Sequence, residues 1–106
     1  MASELSLLRK ETENLFERAK KISHCFFAQR STSKNAVDLI NKLRAVSCDA
    51  SRNADRADLL ILEASPNVFE NYKIGFEIHQ YDRWIDSILQ NLESALLRWK
   101  KLEKKA

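Results

Sequence analysis

The chain has 106 residues and a formal net charge of +3, a length that suits one ordinary domain and not two. Apolar residues make up 44% and charged residues 31%, which excludes an unstructured tail. Gly and Pro occur once each, too little punctuation for a strand-and-turn fold, whereas long helices with few connections need almost none.

An all-α fold is therefore expected: an antiparallel, up-down-up three-helix bundle filling one domain over 1–106, with long, coiled-coil-like helices. The first helix is predicted over about 4–29. Leu5, Leu8, Thr12, Leu15, Ala19, Ile22 and Phe26 alternate spacings of three and four, which is a heptad seam; Phe16 and Ser23 widen it. Ser3 is placed to accept as N-cap. Ser31-Thr32-Ser33 ends this helix and offers a cap to the next.

The second helix is predicted over about 34–64. Its seam is Ile40, Leu43, Ser47, Ala50, Ala54, Ala57, Ile61 and Ala64. The stretch Asp49 to Asp58 is polar apart from its alanines. A break near Asn53, giving four helices, is the alternative there. Ser65-Pro66-Asn67 is the strongest stop in the chain. Either Ser65 caps with Pro66 in the first helical position, or Asn67 caps with Glu70 reaching back.

The third helix is predicted over about 67–104. Ile74, Ile78, Tyr81, Ile85, Ile88, Leu92, Ala95, Trp99 and Leu102 form its seam. Short connections make successive helices antiparallel. Counting from the two turns sets Ala54 level with about Glu77 and about Leu8. The small residues Ala50, Ala54 and Ala57 then face large ones across the core. Length and three-helix rhythm look like a spectrin-type repeat. The tryptophan that such repeats place in their first helix is absent, and Trp84 and Trp99 lie in the third. The resemblance covers rhythm alone and implies a fold, not a function.

This register leaves apolar surface over. The first helix reaches only the level of Ala57 and Lys73, so the other two form a tip carrying Leu59, Leu62, Phe69, Tyr72 and Phe76. Taking Ile85 as the seam centre, Phe76 falls ~180° away, Phe69 ~160° and Tyr72 ~140°. His79 and Arg83 continue this stripe. An exposed stripe of this kind costs solubility unless something covers it. A homodimer or a helix of another protein would do so. A kink at Gly75 is the alternative, turning Phe69 and Phe76 inward.

Chemistry is sparse. His79, Asp82 and Asp86 stand at i, i+3 and i+7, a weak metal spacing that reads more simply as a solvated face. Arg18 and His24 superficially resemble the Arg and His pair of HEPN-type helical ribonucleases, over seven residues with nothing else in support. The inward charges of a chorismate-type mutase are missing from the seams. One glycine cannot make a phosphate loop. No catalytic, cofactor or metal residue is assigned, and no cofactor is expected.

Cys25 and Cys48 are expected to be small buried or half-buried residues too far apart to bridge. The first twenty residues lack the apolar core of a signal peptide. No run nears the ~20 apolar residues of a membrane span. A cytoplasmic or nuclear location is expected. From Arg98 onward, Arg98, Lys100, Lys101, Lys104 and Lys105 oppose only Glu103. With Arg30 and Lys34 at the first turn they form a basic end. It would either complement the backbone dipole or meet nucleic acid or an anionic surface. The expected function is a non-catalytic interaction module, with an anion-binding protein as the alternative.

Overall fold

The structure, a computed structural model, describes residues 3–28, 33–63 and 69–105. Three helices follow in order, α1 (Glu4–Ala28), α2 (Ser33–Glu63) and α3 (Phe69–Lys105). Each packs on both others, making an elongated three-helix bundle of 61 × 21 × 15 Å. The described residues contain no strand. No described helix is long and apolar enough to cross a membrane.

The N-terminal cap forms as the sequence implies. The Ser6 backbone N–H donates to Ser3 Oγ at 3.1 Å, which satisfies one of the donors a helix start leaves unpaired. The stops at Ser31-Thr32 and Ser65-Pro66-Asn67, and the seam residue Ala64, lie outside the described residues.

The core divides in two. The larger cluster holds Leu15, Phe26, Ile40, Leu43, Ile85 and Leu92 among its buried members. The smaller one, toward the tip, holds Leu5, Ala54, Ala57 and Ile78. Between them lies the polar pair of the interior, Thr12 and Asn53, both buried. Asn53 Nδ2 donates to Thr12 Oγ1 at 3.1 Å. Thr12 Oγ1 in turn donates to the Leu8 carbonyl at 2.7 Å. The hydroxyl thus uses both its capacities, and no described buried side-chain nitrogen or oxygen lacks a partner.

This pair overturns the alternative of a break near Asn53. α2 runs unbroken because Ala50, Ala54 and Ala57 keep the seam closed, while the Asn53 amide turns inward. The expected register of α1 against its two neighbours holds, whereas α2 is offset along α3 by about a turn from the count, as Ser51–Asp82, Asp58–His79 and Arg44–Glu93 show. Arg9 meets Glu77 at 3.3 Å, and Arg56 reaches Glu4 from two nitrogens at 3.1 and 3.0 Å.

Three other expectations are corrected. α3 is continuous through Gly75, and Phe69 and Phe76 are not turned inward. A Cβ on this buried glycine would meet Ile61 Cδ1, so Gly75 lets α2 and α3 close together. Both cysteines are free and exposed, because each sits off its helix's inward stripe. Leu102 is exposed as well. Trp99 already stacks on Phe26 at 4.8 Å, near the end of α1, and Leu102 lies almost a turn beyond it.

Asn53→Ala should cost about 1–2 kcal/mol, the loss of a buried hydrogen bond and of packing volume. Ser51→Ala, which removes an exposed bond to Asp82, should stay within ~0.5 kcal/mol of the wild type. Urea unfolding of the two variants checks this ordering.

Candidate functional site

The outer face of α3 stays outward. Phe69 is 81% exposed, Phe76 67% and Tyr72 51%; on α2, Leu62 is 80% exposed and Leu59 52%. The fractions for the three aromatics amount to about two whole aromatic side chains, or roughly 300–500 Å². That is as large as the largest patch of a typical monomer, ~300–600 Å².

Part of this surface is concave. An open groove of about 400 Å³ lies between α2 and α3, lined by Asp58, Ile61, Leu62, Tyr72, Gly75, Phe76 and His79. Its shape follows from Gly75: with no side chain there, Ile61 sits against the α3 backbone and forms the floor. The aromatic rings rise on the α3 side and Leu62 on the α2 side. Across the groove, His79 Nε2 lies 2.8 Å from Asp58 Oδ1. Both side chains are well exposed, so this pair positions the imidazole more than it stabilises the bundle; exposed pairs contribute ~0–1 kcal/mol.

A smaller cleft of about 180 Å³ adjoins it along α3, lined by Phe76, His79, Gln80, Arg83 and Trp84. The structure thus brings Leu62, Tyr72, Phe76 and His79 into one groove and Arg83 beside it. Leu59 does not line the groove. Phe69 lines another cleft, with Ser6, Arg9, Glu70, Lys73, Ile74 and Glu77. It stands one heptad before Phe76 on the same face.

The metal spacing on α3 is divided among separate partners. His79 faces Asp58, Asp82 accepts from Ser51 Oγ at 3.0 Å, and Asp86 accepts from Gln90 Nε2 at 2.8 Å. Among the described residues no group of three potential ligands forms a metal cluster. Arg18 lines a shallow α1/α2 groove with Lys21, Ile22, Lys42, Ala45, Val46 and Asp49, and His24 is not part of it. At the opposite end of the bundle, Lys34, Arg98, Lys100 and Lys101 are exposed. Arg30 and the side chains of Lys104 and Lys105 lie outside the described residues.

One feature was not expected. Phe16, Tyr81 and Trp84 form an aromatic cluster, with ring centroids 5.3 to 5.7 Å apart. Lys20 Nζ lies 4.8 Å from the centroid of Phe16, within the range of a cation–π contact. The same Phe16, Lys20 and Trp84, with Ser87, Ile88 and Asn91, line an α1/α3 groove of about 490 Å³. The register carried the signal: once Leu8 is level with Glu77, Phe16 is level with about Ile85, one residue from Trp84.

No protein-family model matches this chain, and neither a curated protein nor a solved structure does.

Because they face solvent, Phe69→Asp with Phe76→Asp should leave the helical circular dichroism unchanged and shift stability by no more than about 1 kcal/mol. Phe26→Ala, in the core, should cost about 3–5 kcal/mol. Chemical denaturation of both variants checks the contrast.

Proposed function

We propose that this chain is a non-catalytic helical interaction module, an adaptor or a subunit of a larger assembly, that binds protein through the α2/α3 tip and the outer face of α3. The observation that carries this reading is the exposed stripe of Phe69, Tyr72 and Phe76 with Leu62 across the groove. Aromatic side chains at the centre of a patch are the residues on which binding energy concentrates. A groove between two helices, apolar within and polar at its rim, suits an amphipathic helix laid along it. His79, held toward Asp58, and Arg83 supply polar groups at one end of the groove.

A second reading is binding of nucleic acid or an anionic surface at the basic end, favoured by the exposed Lys34, Arg98, Lys100 and Lys101. Cations near a helix C-terminus also complement the backbone dipole, by ~0.3–1 kcal/mol, so charge there has a structural use without any ligand. The two readings differ in their response to salt. Apolar burial resists it, whereas phosphate contacts release counterions and weaken steeply.

Affinity purification from native extract, in low and high salt, tests the choice. Stoichiometric capture of protein should persist in high salt. It should be lost with Phe69→Asp/Phe76→Asp and kept with Lys100→Glu/Lys101→Glu/Lys104→Glu/Lys105→Glu. The reverse pattern, salt-sensitive and dependent on the lysines, would replace the tip reading with the basic-end reading.

A further inference from the structure

We infer that the occupant of the tip is a second copy of this chain, docked antiparallel about a two-fold axis that passes α3 at the level of Ile74. This rests on the reading of the tip as an interaction surface and names what covers it.

The pattern on α3 carries the inference. Phe69, Phe76 and Arg83 recur every seven residues, and Tyr72 and His79 follow the first two by three. That is a heptad seam of its own, on the side of α3 opposite the seam of Ile78, Ile85 and Leu92 that closes the bundle. α3 therefore has two stripes, of which the bundle covers one. A heptad stripe matches another helix, and the nearest helix bearing the same stripe belongs to another molecule of this chain.

The stripe is also self-complementary. With the axis at Ile74, Tyr72 faces Phe76 of the second copy and Phe69 faces its His79. The two-fold repeats both layers. Four layers then stack over ~15 Å of helix, with the three exposed aromatics of each copy inside them. The imidazole that Asp58 holds at 2.8 Å closes each end against a phenyl ring.

The neighbouring helix fits the same axis. Asp58 is level with His79, so Leu62, four residues further along α2, is level with about Gly75. Leu62 thus stands beside the axis, and the Leu62 side chains of the two copies flank the central layers. Arg83 lies beyond the last layer, at the solvated rim.

Magnitude sets the expected strength. The aromatics uncover roughly 300–500 Å² per copy, and the exposed Leu62 adds to it. The total falls short of the ~800 Å² per partner of a standard stable interface. The dimer is therefore of the size of weak, reversible contacts.

Cross-linking at one position beside the stripe and one at its far end tests the geometry and leaves the aromatics in place. In a Cys25→Ser/Cys48→Ser background (both cysteines are exposed), Lys73→Cys and Arg83→Cys are each treated with a short bismaleimide at concentrations from micromolar to submillimolar. Two copies of position 73 lie ~3 Å apart along the axis in the antiparallel pairing, and two copies of position 83 lie ~27 Å apart. Lys73→Cys should cross-link to itself about tenfold or more faster than Arg83→Cys, and adding Phe76→Asp should abolish the product. Equal cross-linking at both positions means a parallel pairing and overturns the inference. So does cross-linking that survives Phe76→Asp. Absence of cross-linking at both positions overturns it too. In that last case, capture from extract that still depends on Phe69 and Phe76 leaves the tip as a binding surface for a different protein. Capture indifferent to those residues removes both.

Discussion

The hydrogen bond from Asn53 to Thr12 is the contact on which the arrangement of the helices depends. Apolar seams of heptad spacing fit one another nearly as well after a shift of one heptad, because leucine against alanine carries little positional information. A buried amide does carry it. Asn53 finds an acceptor at one level of α1, where Thr12 is already tied to the carbonyl of Leu8. Any other register would leave the amide buried against apolar groups, at a cost of ~1–3 kcal/mol. Buried asparagines in coiled coils fix register in the same way. The exposed pairs Arg9–Glu77, Arg56–Glu4 and Arg44–Glu93 agree with this register, but they are individually too weak to impose it.

With register fixed, the shape of the tip follows. α1 starts at Glu4, at a level where α2 and α3 still have a turn or more to run. The smaller core cluster ends there, on Leu5, Ala57 and Ile78. Beyond it the two remaining helices pack closely through Gly75 and Ile61, and close packing consumes the small residues while leaving the large ones outside. Phe69, Tyr72 and Phe76 lie on the side of α3 away from the seam that closes the bundle. The outer stripe thus follows from the phase of the aromatics on α3, opposite Ile78 and Ile85.

Much of the fold was legible in the residues. Seam spacing located the three helices to within two residues at every described end, and counting from the turns set Ala54 near the level of Leu8 but about a turn short of its level on α3. Ser3 as N-cap followed from side-chain chemistry. What escaped had physical reasons. A break near Asn53 stood as the alternative because the stretch Asp49–Asp58 is polar apart from its alanines, and the partner of Asn53 is 41 residues away in sequence. Cys25 and Cys48 were assigned by residue type, whereas position on the helix decided their exposure. Leu102 lies on the period but past the elements that would cover it. The Phe16–Trp84 contact joins two helices that are not consecutive. At the tip, periodicity placed Phe69, Tyr72, Phe76, His79 and Arg83 on one face, and the continuous α3 leaves them there. Periodicity could not tell that Leu62 enters the groove and Leu59 does not, which depends on the rotation of α2 against α3.

What decides the role of the tip is whether the outer stripe of α3 is open in the single chain and covered when chains meet. Fluorine NMR of the chain labelled with fluorophenylalanine, in the presence of a soluble paramagnetic probe and over a concentration series, reads both states directly. The resonances of Phe69 and Phe76 should broaden strongly in dilute solution and regain protection as concentration rises, while Phe26 stays protected throughout. Protection of Phe69 and Phe76 at the lowest concentration would mean that they fold into the bundle. Their remaining broadened at every concentration would mean that a second copy does not cover them. Either result would contradict the account.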